Sequence, residues 1–204
     1  AQSDWQAAKL NMDIHNQDII RTKSESRCEV KLLDGSIIRI GEESEFEFSD
    51  ASVGKNAKKV NAQLTKGKVW SNVMPIKSQQ EVFEIKTPTA VCAVRGTIYR
   101  IDADSVMTCL VYDGQIDVGP ASFWRMPPGR GQINQPPVEV PGPVEIPGPF
   151  EVTLEEWVRI VRGYQIIVRP DGKYATSQFD LARDSQLQWV AWNRERDLQI
   201  EKSR

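Results

Sequence analysis

Between about residues 27 and 119 apolar and polar positions alternate in short runs: Val30-Lys31-Leu32, Ile38-Arg39-Ile40, Phe46-Glu47-Phe48, Phe83-Glu84-Ile85 and Ile116-Asp117-Val118. Successive side chains of a strand point to opposite faces, so a period of two predicts strands with one buried side. The apolar run Val91-Cys92-Ala93-Val94 reads as a further strand. Between the runs sit Asp34-Gly35, Lys66-Gly67, Arg95-Gly96 and Asp113-Gly114. Glycine reaches positive φ without steric cost, so these pairs predict four hairpin turns. The glycines recur at uneven intervals, which argues against equal propeller blades or solenoid coils. A mainly β fold follows, a compact β-roll or β-helix-like body, with residues 49–61 as a polar loop.

The flanks read differently. Residues 1–26 carry Trp5, Leu10, Met12, Ile14, Ile19 and Ile20 without a sustained period, which predicts an irregular or edge segment. In residues 127–152, Val138-Glu139-Val140-Pro141-Gly142-Pro143 nearly repeats as Val144-Glu145-Ile146-Pro147-Gly148-Pro149. Proline fixes φ and removes a donor, so this stretch favours an extended polyproline linker, either a free tether or a strap along an edge strand. From residue 153 to 204 a Trp-rich helical tail is expected. Thr153-Leu154-Glu155-Glu156 fits a capping box, and Leu154, Trp157, Val158, Val161 and Tyr164 follow at three- and four-residue spacing. Pro170-Asp171-Gly172 predicts a turn, and Asp180 is placed to cap a second helix through Leu187, Val190 and Asn193. The organisation expected is thus an irregular segment 1–26, a β domain 27–126, a linker 127–152 and a helical tail.

Composition narrows the function. With 40% apolar and 26% charged residues the chain suits a soluble globular protein, and no run of about 18 apolar residues predicts a transmembrane helix. A net charge of −2 with interleaved signs offers no basic stripe for nucleic acid. The start at Ala1 fits a chain matured by signal-peptide removal or one trimmed at its end. The single histidine, His15, sits in the irregular segment with no Gly-x-Ser-x-Gly turn to partner it, so no hydrolase triad is expected. Cys28, Cys92 and Cys109 lack zinc spacing; Cys92 and Cys109 lie on neighbouring predicted strands, leaving buried thiols and a bridge both open. Asp102, Asp104 and Ser105 read as a solvated turn, not a calcium loop. No catalytic residue, metal site or cofactor is expected. Two recognition candidates stand beside plainer readings: Trp157, Trp189 and Trp192, otherwise the tail's own core, and Lys55, Lys58, Lys59, Lys66 and Lys68, otherwise a solvated surface.

Taken in order, the units Val30-Lys-Leu-Leu-Asp-Gly-Ser-Ile-Ile-Arg-Ile40, Leu64-Thr-Lys-Gly-Lys-Val-Trp70, Phe83-Glu-Ile-Lys-Thr-Pro88, Val91-Cys-Ala-Val-Arg-Gly-Thr-Ile-Tyr-Arg-Ile101 and Val111-Tyr-Asp-Gly-Gln-Ile-Asp-Val118 resemble the FecR domain family, named for a regulator of bacterial iron-citrate uptake. The likeness rests on Asp34, Gly35, Gly67, Thr87, Pro88, Arg95, Gly96, Thr97, Asp113 and Gly114. It implies an all-β, β-helix-like fold in the periplasm and envelope signalling through protein contacts. Members typically carry a cytoplasmic sigma-factor-binding segment and a transmembrane helix before this domain, and neither is in these residues. The expectation is therefore a non-enzymatic binding or scaffold module whose partner is an envelope protein or cell-wall polymer. Two alternatives stay open: a soluble sensory component of a sigma-factor pathway, and a cell-wall glycan binder using the tail's aromatics.

Overall fold

A computed structural model describes residues 5–54, 58–78, 80–124 and 152–203. Its strands are β1 (Ile19–Arg21), β2 (Cys28–Lys31), β3 (Ile37–Ile40), β4 (Glu45–Val53), β5 (Lys58–Asn72), β6 (Val82–Lys86), β7 (Ala90–Val94), β8 (Ile98–Ala103), β9 (Met107–Asp113), β10 (Gln115–Pro120), β11 (Val152–Thr153), β12 (Val158–Val161), β13 (Tyr164–Val168) and β14 (Lys173–Gln178). Two helices close the chain, α1 (Leu181–Asp184) and α2 (Gln188–Ser203).

The strands curl into two faces joined by the long β5. Its first half pairs with β4 and β6 in the order β1-β4-β5-β6-β7-β10-β12, here sheet A. Its second half pairs with β3 and β8 in the order β2-β3-β5-β8-β9-β13-β14-β11, sheet B. All pairings are antiparallel except β5 with β6. The inward positions follow the alternation read from the sequence. Phe46, Phe48, Leu64, Phe83, Ile85, Cys92, Ile116 and Val118 from sheet A meet Ile38, Ile40, Val69, Tyr99, Ile101, Cys109 and Val111 from sheet B in one buried cluster. Burying apolar area at about 25 cal/mol per Å² is the main force closing the two faces.

Several expectations change. Only Asp34-Gly35 makes a hairpin, joining β2 to β3. Gly67 lies inside β5, where the strand passes from sheet A to sheet B, and Gly96 and Gly114 are corners where the chain crosses between the sheets. The corners need glycine for two reasons: φ is +90° at Gly96 and +80° at Gly114, and a Cβ would lie 2.6 Å from Pro75 Cα or from the Gly96 carbonyl oxygen. The polar loop shrinks, since β4 runs to Val53 and β5 begins at Lys58. Within the irregular segment, β1 is an edge strand on β4.

The largest correction is in the tail. No helix starts at Thr153: residues 152–178 hold four strands, with β12 on β10 and β13 on β9, so they extend the β-body. Leu154, Trp157, Val158, Val161 and Tyr164 match a helical spacing by coincidence. The β-branched density of Val158, Ile160, Val161, Ile166, Ile167 and Val168 prevails. Asp180 does cap a helix, accepting from Ala182 N and Arg183 N, but that helix is the short α1; α2 begins at Gln188. The proline-rich repeat lies outside the described residues.

Candidate interaction surface

On the outer side of sheet B the register aligns Glu29, Arg39, Trp70 and Arg100 side by side across β2, β3, β5 and β8. These are the polar half of the alternation, and in an exposed sheet they would face water. Arg39 is 0% exposed because α2 covers it. Trp189, Val190, Asn193 and Asp197 are the buried face of that helix.

Two carboxylates fasten the helical segment. Asp197 Oδ1 accepts from Arg39 Nη1 at 2.7 Å and its Oδ2 accepts from Trp70 Nε1 at 2.9 Å. Asp184, at the end of α1, accepts from Arg100 Nη1 at 2.9 Å and from the Tyr112 hydroxyl at 2.7 Å. The Tyr112 ring lies 4.4 Å from that of Trp70. Glu29 completes the row, accepting from Arg39 Nε at 2.6 Å and from Arg196 of α2 at 2.9 and 3.0 Å. Burial alone would raise the Glu29 pKa, but the bonds from Arg196 and Arg39 outweigh it and hold the carboxyl below its ordinary value. Burial lifts Asp102 above its own ordinary value even though Arg100 Nε is 2.9 Å away. Burial and the Asp184 carboxylate together push the Tyr112 phenol up, so it remains a donor.

At the rim of this contact Trp189 and Trp192 stack, centroids 5.5 Å apart and planes 17° from parallel. The exposed Arg27 guanidinium lies 4.9 Å from the Trp192 ring, and Arg196 lies 5.1 Å from it. Cations over aromatic faces keep both the charge and part of the ring at the surface. Trp189 is buried, so Trp192 with Arg27 and Arg196 is what a partner could touch. Trp157 is elsewhere, on the outside of sheet A against Gly119 and 5.7 Å from the Phe123 ring. The three tryptophans therefore do not form one platform.

Three of the motif residues hold turns together through side-chain bonds. Asp34 accepts from Ser36 N and Oγ and pairs with the buried Lys58 at 2.7 Å. The Thr87 hydroxyl closes the turn before β7 by bonding Ala90, with Pro88 exposed at its tip. Thr97 Oγ1 donates to Gln115 O beneath the Gly96 corner, while Arg95 and Asp113 face solvent. The lysine cluster disperses into ion pairs: Lys58 with Asp34, Lys59 with Asp50 and Lys68 with Glu42; Lys66 is exposed and Lys55 lies outside the described residues. His15 is exposed beside Asp18. Among the described residues no helix is long and apolar enough to cross a membrane.

Residues 18–117 match the family model described as FecR protein. That stretch is a FecR-family domain. The match ends within β10, and β12 and β13 pair with strands of the matched stretch and extend its two faces. No curated protein matches the chain. Two crystal structures from Parabacteroides distasonis, at 1.65 and 2.50 Å resolution and each described as a candidate anti-sigma factor, share its fold. Each has a TM-score of 0.54 and 18% identity over 80% of this chain. The chain spans 60% and 61% of their lengths, so the likeness is one of fold and covers only part of those proteins.

The residues that build this surface were not all visible in advance. Arg39, Trp70, Arg100 and Tyr112 look like ordinary outward strand positions, and Asp184 and Asp197 like ordinary helix surface. A signal did exist in Asp197, which falls four and eight residues after Asn193 and Trp189, on one helical face.

Proposed function

We propose that this chain is a partner-binding, non-enzymatic component of a sigma-factor signalling system, acting outside the cytoplasmic membrane. The observation that carries the reading is the FecR-family match over residues 18–117, joined by a fold shared with the two Parabacteroides distasonis proteins. A free-standing scaffold would use the same contacts, but the family match favours the signalling alternative. The surface offered to a partner is Trp192 with Arg27 and Arg196, a patch suited to carboxylate-bearing and aromatic groups.

The test is in-cell crosslinking of the tagged full-length protein with mass spectrometry of the envelope fraction, run beside transcript profiling of a deletion strain. Capture of a transport receptor or membrane-bound regulator, together with a changed set of sigma-dependent transcripts, is the expected result. Unchanged transcripts, with wall material as the captured species, would replace signalling by a scaffold role.

A further inference from the structure

The segment that covers the outer side of sheet B is held there largely by polar contacts. The buried side chains of α2 are Trp189 and Val190, followed by Asn193 and Asp197, while Leu187 and Leu198 are exposed. Its buried apolar residues are thus confined to the first turn, where a helix packed on a core usually carries an apolar stripe along its length. Beyond that turn Asp197 fastens α2 to Arg39 and Trp70, and Asp184 fastens α1 to Arg100 and Tyr112. The segment also leaves donors over: Arg39 Nη2 and Trp189 Nε1 are buried without an acceptor among the described residues. A buried donor without a protein partner is costly to keep, and a ligand that brings one more acceptor to Arg39 removes that cost.

We propose that the outer side of sheet B at Arg39, Trp70, Arg100 and Tyr112 is a second partner site, masked in the resting chain by its own α1–α2 segment. Its external ligand is a helix of another protein that carries an aromatic side chain and a carboxylate eight residues apart on one face. The template is α2 itself, in which Trp189 packs with Trp70 and Asp197, eight residues on, binds Arg39 and Trp70. A carboxylate in that place makes the same charge-assisted bonds whichever chain carries it, whereas interlocked apolar side chains exchange only with close copies. Opening the segment returns the Trp189 indole to water and leaves the main core in place, since that cluster is built without α1 or α2. The tethered copy competes at a high effective concentration, so an outside helix enters when it brings better contacts or when the segment is loosened. Trp192 and Arg196 leave with α2, so the rim patch and the face beneath it are offered in turn and never together.

The test needs no signalling partner, so its failure leaves the family-based reading untouched and unchanged transcripts leave this inference untouched. The purified full chain is titrated into a fluorescein-labelled peptide of residues 179–204, the chain's own helical segment used as the probe, and anisotropy is followed. Binding to the wild-type chain should be weak, and binding to a chain carrying Asp184→Asn and Asp197→Asn at least about tenfold tighter, because its own segment has lost the charged acceptors. A peptide with Asp197→Asn should bind that same chain at least about tenfold more weakly than the unaltered peptide. This second comparison uses one protein and two peptides, so a folding defect cannot imitate it. If the double variant loses the near-ultraviolet spectrum of the wild type, the single Asp184→Asn chain takes its place in both comparisons. Equal affinity of the wild-type and loosened chains, equal binding of the two peptides, or no binding to a folded loosened chain overturns the proposal.

Discussion

Asp197, on the last helix, accepts a hydrogen bond from the indole of Trp70, on the strand shared by both sheets, at 2.9 Å. The same carboxylate neutralises Arg39, which is wholly buried. Removing Asp197 leaves the buried Arg39 with Glu29 alone and the Trp70 indole without its acceptor, at a combined cost of about 3 kcal/mol. Asp197→Ala should lower stability by about that amount, while Asp197→Leu combined with Arg39→Met recovers much of it. Urea midpoints of the two variants check this; equal losses in both would show that the pair has no special coupling.

The sheet-crossing corners make a sharper geometric prediction. At Gly163, where φ is +84° and nothing lies within 4 Å of an added Cβ, alanine should cost only the left-handed backbone penalty of about 1 kcal/mol. At Gly96 and Gly114 the added methyl also meets backbone at 2.6 Å, so alanine should cost more than about 2 kcal/mol at each. Thermal unfolding of the three variants ranks them, and an equal effect at all three would remove the crowding argument.

Acid should loosen the helical segment. Glu29 has a folded pKa below its unfolded value of 4.5, so its stabilising contribution is present above that value and is lost as pH falls through the lower, folded pKa. Asp102, whose pKa is raised, acts in the opposite sense and is relieved by protonation. Protection of the α2 amides, with exchange corrected for its intrinsic slowing in acid, should fall from pH 5 downward in the wild type and show a weaker pH dependence in Glu29→Gln.

The tryptophans separate structure from recognition. Trp189→Ala should cost about 3 kcal/mol because the ring is buried on the inner face of α2, in the cluster with Trp70. Trp192→Ala, at the rim, should cost under about 1 kcal/mol while reducing crosslinked partner. Retained partner capture by a folded Trp192→Ala protein would move the contact surface elsewhere.

What could be read from the chain depended on whether the signal was local. Period-two alternation placed Ile38, Phe46, Phe83 and Ile116 in the core correctly because strand geometry alone fixes which face they take. The glycine pairs fit hairpins in the sequence because positive φ serves a hairpin and a corner alike; only the partners of the flanking strands distinguish them, and those are set by distant residues. The same limit explains the tail. Val158 and Val161 fit one face of a helix as well as a strand, and pairing with β10 decides between them. Arg39 and Asp197 could not be joined in advance, because outward strand residues and helix carboxylates are ordinarily solvated.

The position of α2 in the chain bears on the order of assembly. Glu29 and Arg39 leave a ribosome more than 150 residues before Asp197 and Arg196, which cover them. Until α2 emerges, Arg39 and Trp70 on the outer side of sheet B stay uncovered. Contacts of such long sequence separation form slowly because loop closure precedes their reward. The finished surface therefore requires α2, and a chain interrupted after β14 would present Arg39, Trp70 and Arg100 to any acidic segment nearby.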